Sequence, residues 1–296
     1  MIKITETKLS FYKKRIKSFV GRFLESRLGL IGVFILVFFI FISVFANYLS
    51  SYPISATKGN PRDRLLPPNR KYLLGTDEMG RDLATQIMYG GRISLAVGFL
   101  AAIISGVIGT AVGLAAGYFR GRVEDLFMRI TDIILVIPGL PLMIVLAAIL
   151  GTSFWNIILV ISVIGWTGTA RVVRAQVLSL KERPFIESVK AIGASDFRIL
   201  LYHLLPNVFP LIVAQMVLRI GNAILTEASL SFLGLGDPTI ISWGMILHWA
   251  FSVGALSANY WWYIIPPGIC ITLVALGFTF VGYALDQIVN PRMRMR

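Results

Sequence analysis

The sequence lacks several features on which secreted proteins and ATP-binding enzymes depend. It has a single cysteine, Cys270, so no disulfide can form within the chain. Its two histidines, His203 and His248, are expected on opposite sides of a membrane, which excludes a shared metal site. No lysine follows a glycine, so the G-x-x-x-x-G-K-[ST] loop that cradles phosphates is absent. We therefore expect the chain to bind no metal and no ATP.

Charged residues are scarce as well. They make up 15% of the 296 residues, whereas 56% are hydrophobic and fall in blocks too long for the elements of a soluble core. The net charge of +13 would fit a nucleic-acid partner only if the basic residues were gathered on a soluble domain, and none is predicted. The composition predicts an all-α polytopic membrane protein whose charge sets its topology.

Six apolar segments are predicted to span the membrane, and the first of them is long enough to cross about 30 Å of hydrocarbon. The first is too long for a signal-peptide core and has no small-residue cleavage site, so we expect it to be retained. The predicted spans are residues 28–49, 93–119, 131–150, 155–170, 208–227 and 263–289.

The distribution of Lys and Arg predicts cytoplasmic termini in a bacterial or archaeal plasma membrane. Residues 1–27 carry eight basic residues against two acidic ones, and this topology places 20 of the 28 Lys and Arg inside. It also places seven in one external loop, ending near residue 92, and one within a span. The predicted regions are a tail at 1–27, the first span and external loop at 28–92, a core at 93–289 with a cytoplasmic loop at 171–207, and a tail at 290–296.

Local patterns predict how some spans pack and bend. Pro138 and Pro141 predict a kink in the third span. The Trp-rich segment from Ser231 to Trp262 has no Lys or Arg and is typical of an interfacial or partly re-entrant element. Small residues at four-residue spacing in the second span predict close helix contact. These small residues are Ala101, Ser105, Gly109, Gly113 and Gly117.

A polar interruption, residues 183–207, separates the fourth and fifth spans. Its pattern predicts one short helix from Pro184 to Ile192, closed by Gly193 in the left-handed conformation. Ser195 is then placed to cap a second helix, which we expect Pro206 to interrupt. Two short amphipathic helices at a membrane surface are suited to contact with a partner protein.

This stretch resembles the EAA loop of binding-protein-dependent ABC importers. Four positions match that motif: Glu187, Gly193, Leu205 and Pro206. At three other positions the residue type differs from the motif, and these are Ser188, Val189 and His203. The string KAIGASDFRIL followed by HLLPN looks like the variant of the dipeptide, oligopeptide and nickel permease group. In that group the loop contacts the ATPase subunit. The resemblance assigns this coupling role to Glu187, Ser188, Val189, Gly193, Ala194, Ser195, Asp196, Leu205 and Pro206.

Two further segments resemble the C-type member of those permease pairs. They are LGTDEMGRDLATQIMYGGRISL, residues 74–95, and TEASLSFLGLGDP, residues 226–238. The resemblance implies one N-terminal span followed by a five-helix type I ABC importer core. It also implies a second homologous permease, two ATPases that bind ATP and Mg, and an external solute-binding protein. The alternative for Gly75, Gly80, Arg81 and Asp82 is a surface turn with an ion pair.

Polar residues in the fifth span are candidates for a translocation pathway. A charge in the bilayer is costly unless it is paired or hydrated, which favours a function for Arg219 and Glu227. They are eight residues apart, about 12 Å along a helix, so they cannot touch. Gln215 and Asn222 are further candidates. Snorkelling, or pairing with another subunit, is the alternative interpretation.

The predicted function is the permease subunit of an ATP-driven importer for di- or oligopeptides, itself without catalytic activity. A nickel-chelate or peptide-antibiotic importer of the same group remains an alternative. From other classes, a self-sufficient secondary transporter would need inverted repeats and an ion site, and neither is found. A scaffold subunit without a pore is a weaker possibility. The string GLGD at residues 234–237 resembles an intramembrane aspartyl protease motif but lacks a second Asp at matching depth.

Overall fold

The computed structural model describes residues 20–50 and 59–289. Within these ranges the chain is helical, and its only β-type pairing is an isolated bridge between Thr76 and Asp82. The all-α prediction is therefore confirmed. Most of the predicted N-terminal tail and the whole C-terminal tail lie outside the described residues. The helices of eight or more residues are α1 (Arg27–Val44), α2 (Leu83–Phe119), α3 (Gly121–Val136), α4 (Gly139–Leu150), α5 (Phe154–Lys181), α6 (Pro184–Ala191), α7 (Leu205–Phe232), α8 (Trp243–Ser252) and α9 (Trp261–Val289).

The number of spans agrees with the prediction. Five helical segments of the described chain are long and apolar enough to cross a membrane, and α3 with α4 forms a sixth if this bent pair counts as one span. The two helices of the pair meet at 92°, with Pro138 as the residue before α4. A proline there has no N–H to donate and restricts the residue before it, which explains the break. The predicted kink is confirmed, although it is a sharp corner between two helices.

Two helices are longer than the apolar segments predicted as spans. The helix α2 begins at Leu83, so the last ten residues of the predicted external loop belong to it. The helix α5 continues to Lys181, so the predicted cytoplasmic loop at 171–207 begins with eleven helical residues. At 1.5 Å per residue the 37 residues of α2 span about 55 Å, well beyond the hydrocarbon thickness. Apolarity marks only the part of each helix inside the membrane.

The predicted small-residue stripe forms the contact between α2 and α5. A Cβ added to Gly109 would lie 2.5 Å from the Trp166 carbonyl oxygen, and one on Gly113 would lie 2.7 Å from that of Ala170. These distances are too short for any side chain, so the glycines allow the two backbones to touch. This close pair is the centre of the fold.

The first span packs against the last. A Cβ on Gly32 of α1 would lie 2.7 Å from the carbonyl oxygen of Gly277 in α9. Leu36 and Phe39 of α1 are buried, whereas Phe34 is 74% exposed. The helix α1 therefore attaches by one narrow face and leaves the remainder of its apolar surface for lipid.

The expectation that Pro206 would interrupt the helix is wrong. The chain is helical from Asp196 to Phe232, and a π-helical turn, Ile199–Leu204, precedes Pro206. The Leu205 amide donates to the carbonyl of Leu200, five residues back, so the turn is wider than an α-helical turn. Pro206 then occupies the first turn of α7, where a missing N–H is tolerated.

The Trp-rich segment folds onto one end of the spanning helices. Gly234, with φ of +82°, ends α7, and Ser242 caps α8 by accepting from the Met245 amide at 3.2 Å. Trp243 is fully buried, and its indole nitrogen donates to the carbonyl of Ile87 in α2 at 2.9 Å. The segment thus contains a short helix anchored through a buried Trp, and its location at the membrane interface stays a prediction.

Candidate functional site

The polar interruption forms a compact turn between two helices. The helix α6 ends at Ala191, within one residue of the prediction, and Gly193 has φ of +81°. Its amide donates to Lys190 O at 3.0 Å, and the Ala194 amide donates to Val189 O at 3.3 Å. This pair of bonds is typical of a glycine-terminated helix. The left-handed conformation predicted for Gly193 is confirmed.

Asp196 is held by a contact that the sequence did not reveal. Ser195 occupies the cap position before Asp196, but its side chain accepts no capping hydrogen bond. The Asp196 carboxylate accepts a hydrogen bond from the Tyr118 hydroxyl at 2.5 Å. Tyr118 lies in the last turn of α2, 78 residues earlier. No local pattern marks a partner so distant in sequence, so Tyr118 was missed.

The two faces of this stretch differ in burial. Ile186, Ile199 and Leu204 are buried against one end of the helix bundle, which α2, α5 and α7 form. On the outside, Ile192 is 83% exposed and Phe197 is 70% exposed. One face thus anchors the turn to the helix bundle, and the other leaves large apolar side chains exposed. The predicted residues Glu187, Ser188, Gly193, Ser195, Asp196 and Pro206 are exposed, while Val189, Ala194 and Leu205 are half-buried.

Ion pairs join α3 to α5. Arg171 donates to Asp132 at 2.5 Å, and Arg174 pairs with Glu124. These contacts hold the first helix of the bent pair against the part of α5 that extends beyond the predicted fourth span. The exposed pair, Arg171 with Asp132, contributes about 0–1 kcal/mol, so its main effect is to fix orientation, whereas Arg174 and Glu124 are half-buried.

A polar stripe runs along the middle of α7. We use this term for Gln215, Arg219, Asn222 and Thr226, which follow the three- and four-residue spacing of one helix face. Asn222 is exposed, and the other three are half-buried. Thr226 was missed as a pathway candidate because threonine is common in apolar helices. A polar face left partly open on a spanning helix favours contact with water, substrate or another subunit over contact with lipid.

Arg219 rests against α5. Its Nε donates to the Thr169 hydroxyl at 3.1 Å. A Cβ added to Gly168 would lie 2.4 Å from Arg219 Nη2, so the absence of a side chain there makes room for the guanidinium. Among the described residues no carboxylate forms an ion pair with Arg219.

Glu227 lies on a different face of α7 and is 2% exposed. Its carboxylate accepts hydrogen bonds from Ser94 at 3.2 Å and Ser231 at 2.8 Å. The Ser94 hydroxyl also accepts from the Trp243 amide at 3.2 Å, which links α2, α7 and α8. This chain of hydrogen bonds therefore encloses Glu227 and does not present it on the stripe. Its assignment to the pathway remains a prediction.

The external motif is a folded turn around Asp77, which is fully buried. Asp77 accepts from the Arg81 guanidinium at 2.5 Å and from the Gln86 amide at 2.7 Å. Gly75 and Gly80 have φ of +75° and +74°. Asp82 caps α2 by accepting from the Thr85 amide at 2.8 Å, and Glu78 accepts a hydrogen bond from the Tyr263 hydroxyl. These contacts give the motif a structural role: it fixes the external loop to α2 and α9.

A second anchor of this loop is Asp63. Its carboxylate accepts from Lys71 Nζ at 2.9 Å and from the Tyr72 hydroxyl at 2.9 Å. These hydrogen bonds, with that from Lys71 first, lower the pKa of Asp63 from its ordinary value. In the described part of the chain no three His, Cys, Asp or Glu side chains are placed to hold a metal ion.

The fold and this arrangement define an integral membrane component of a transport system. Residues 109–295 match the family of binding-protein-dependent transport system inner membrane components, and residues 15–68 match the N-terminal transmembrane domain of oligopeptide transport permease C. The chain belongs to the binding-protein-dependent transport system inner membrane component family. Membership also establishes it as a multi-pass membrane permease.

Individual relatives show which transport systems the chain resembles. The chain is 37% identical to the dipeptide transport system permease protein DppC of Bacillus subtilis over 274 residues, which are 92% of this chain and 84% of that protein. It is 35% identical to the oligopeptide transport system permease protein OppC of the same organism, covering 99% of this chain and 93% of that one. It is also 35% identical to the glutathione transport system permease protein GsiD of Pectobacterium atrosepticum, over 94% of this chain and 91% of the relative.

A solved structure supports the fold. An inward-facing structure of the MetNI methionine ABC transporter aligns with a TM-score of 0.54 at 22% identity, covering 71% of this chain and 97% of that one. The all-helical permease architecture implied by the sequence resemblance is thereby confirmed. The match covers most of the chain but not all of it, as expected if this chain carries an added N-terminal span.

Proposed function

We propose that the chain is the C-type permease of an ATP-driven importer for peptides. The observation that carries this proposal is the similarity over nearly the whole chain to permeases named for dipeptide, oligopeptide and glutathione transport. Glutathione is itself a small peptide-like solute. A nickel-chelate or peptide-antibiotic importer has no such support among these relatives.

The proposed complex has four further subunits. A second, homologous permease faces this chain, two cytoplasmic ATPases bind ATP and Mg, and an external protein delivers the solute. The exposed Ile192 and Phe197 beside Gly193 support contact between the polar interruption and an ATPase. Glu187 is exposed on the same stretch. The buried face formed by Ile199 and Leu204 would transmit movement of the ATPases to the membrane helices.

The proposed pathway runs along the polar stripe of α7. On this stripe Asn222 is exposed, Gln215 and Arg219 are half-buried, and Thr226 extends the same face. In a spanning helix such a face is expected to line a cavity shared with the second permease. Rocking of the two permeases about this cavity would expose it to each side of the membrane in turn.

The orientation proposed for the membrane places both termini in the cytoplasm. Basic residues at the ends of α2, α5 and the polar interruption support this, because short cytoplasmic loops carry an excess of Lys and Arg. The external face then carries the Asp77 turn and α8. Neither nucleic acid nor a cofactor bound by this chain forms part of the proposal; membrane lipid surrounds it.

The test is reconstitution of the complete complex in proteoliposomes. We expect uptake of a labelled dipeptide or longer peptide that requires ATP, the binding protein and both ATPases. ATPase variants that bind but do not hydrolyse ATP should abolish uptake. Peptide uptake by this chain and its partner permease without the ATPases, driven by an ion gradient, would contradict the proposal and favour a secondary transporter.

A further inference from the structure

Arg219 lies within the spanning helix α7 and meets α5 near the middle of that helix. It is the fifteenth of the 28 residues of α7, and its partner Thr169 is the sixteenth of the 28 residues of α5. A charged side chain within a spanning helix is unfavourable unless water or a polar partner meets it. The Arg219 guanidinium therefore needs water or a polar group in contact with it.

The surface of α5 positions this guanidinium without neutralising it. Thr169 accepts one hydrogen bond from Nε at 3.1 Å, and Thr169 is 1% exposed. Positions 165 and 168 are glycines, and a Cβ on them would lie 3.4 Å from Nη1 and 2.4 Å from Nη2, respectively. Both Nη groups thus lie over a flat backbone surface. No carboxylate of residues 20–50 or 59–289 pairs with them.

The neighbours of Arg219 on the polar stripe are neutral. Gln215 and Asn222 each carry an amide that both donates and accepts hydrogen bonds, which matches the N–H and C=O groups of a peptide. A guanidinium presents a planar fork that binds a carboxylate through two parallel hydrogen bonds. A permanent ion pair with a neighbouring subunit would not require amide side chains on either side of it.

We propose that Arg219 binds a carboxylate of the transported peptide within the pathway, with its guanidinium held in position by Thr169 and the glycine surface of α5. The inference rests on the proposed peptide transport. It assigns a ligand class, a carboxylate, to one point of the pathway. Every peptide with a free C-terminus carries such a group at neutral pH.

The test uses the single cysteine of the chain. Cys270→Ser removes it, and Arg219→Cys in that background, within a complex whose other subunits lack accessible cysteines, introduces one thiol on the polar stripe. Trimethylammonium-ethyl and sulfonatoethyl methanethiosulfonates then attach a positive or a negative group. Leu225→Cys, at an apolar position of α7 that is 43% exposed, is the control. Co-purification of all subunits checks assembly.

We expect both reagents to label the thiol of the Arg219→Cys variant and saturating peptide to slow this labelling. The positively charged adduct should support peptide uptake about tenfold faster than the negative adduct, as expected for a hydrogen bond between charged groups. The two adducts of the Leu225→Cys variant should differ little. If the Arg219→Cys thiol is not labelled in the assembled complex, or peptide gives no protection, Arg219 pairs with another subunit and the inference is overturned.

A second pair of variants retains Arg219 and tests the position of its guanidinium. In Gly168→Ala the added methyl group would lie 2.4 Å from Arg219 Nη2 and should displace the guanidinium. In Gly165→Ala the added methyl group would lie 3.4 Å from Arg219 Nη1, which is an ordinary contact distance. We expect Gly168→Ala to raise the peptide concentration for half-maximal uptake more than Gly165→Ala does. If the two variants needed the same peptide concentration for half-maximal uptake, the inference would be contradicted even if Arg219→Cys failed to assemble. Absence of peptide uptake by the unmodified complex would instead reject the proposed function.

Discussion

The Tyr118 hydroxyl donates a hydrogen bond to the Asp196 carboxylate at 2.5 Å and so ties the last turn of α2 to the helix that follows Gly193. The other end of α2 begins at Leu83, within the folded external loop. One continuous helix therefore connects the proposed ATPase contact to the external face. A displacement of Asp196 would therefore be transmitted through Tyr118 to α2.

Tyr118→Phe should weaken this connection while leaving the fold intact. A hydrogen bond to a charged group contributes about 1.5–3 kcal/mol, and the ring that packs in the core is retained. We expect fewer peptides transported per ATP hydrolysed, with normal co-purification of the ATPases. Tyr202→Phe, at a position 73% exposed, is the matched control. An unchanged transport-to-hydrolysis ratio in Tyr118→Phe would remove the coupling role of this bond.

Gly193→Asp should abolish association with the ATPases. It adds a negative side chain to the exposed turn and forces a non-glycine residue to φ of +81°, at a cost of about 1–2 kcal/mol. Gly254→Asp is a suitable control, because Gly254 also has positive φ, has open space around its Cα and lies after α8 on the external side. Co-purification of both ATPases with Gly193→Asp at wild-type yield would contradict the coupling assignment.

Gly113→Ala should destabilise the contact between α2 and α5. The added Cβ would lie 2.7 Å from a backbone oxygen, which cannot rotate away, and overpacking of this kind costs about 1–3 kcal/mol. Gly268→Ala in α9 adds the same methyl group where no atom lies within 4 Å and should be nearly neutral. Thermal unfolding of the two purified variants in detergent provides the comparison. Equal melting temperatures would show that the two helices adjust their separation freely.

Acid should loosen the external loop through Asp63. The pKa of Asp63 is lower in the folded chain than in the unfolded one, so its contribution to stability is complete above the unfolded value, about 3.9, and is lost as pH falls through the folded value. We expect resistance of the loop to proteolysis to hold from pH 7 to 5 and to decline below about pH 4. Asp63→Asn should be less resistant at pH 7 and less sensitive to acid. Identical acid profiles for both proteins would exclude Asp63 as the origin.

Substitutions of Glu227 separate a packing role from a pathway role. Glu227→Ala leaves the hydroxyls of Ser94 and Ser231 without their acceptor and should cost about 1–3 kcal/mol, whereas Glu227→Gln keeps an acceptor and should cost less. Unfolding and peptide uptake are measured on the same preparations. If both variants are stable but transport poorly, Glu227 belongs to the pathway. Normal uptake by an assembled Glu227→Ala complex would exclude that role.

The sequence predicted most of the helices and part of the site. The Pro184 helix, the left-handed Gly193 and the glycine contact between α2 and α5 follow from local rules of helix termination and small-residue packing. Pro206 was misinterpreted because the widened turn before it is not encoded by a simple pattern. The helix α2 begins before its predicted span and α5 ends after its own, because apolarity does not mark the part of a helix that continues past its apolar segment.

What the sequence by itself determined was a helical membrane protein, its six apolar segments and, through its motifs, its family. Those properties follow from the lengths of apolar runs, the positions of basic residues and short strings of adjacent residues. Only the tertiary structure decided that Glu227 is enclosed by Ser94 and Ser231, that Arg219 lies over Gly168, and that Tyr118 meets Asp196. The physical reason is that a helix apolar on nearly every side carries no period that marks its buried face, so which polar residues are covered depends on the neighbouring helices.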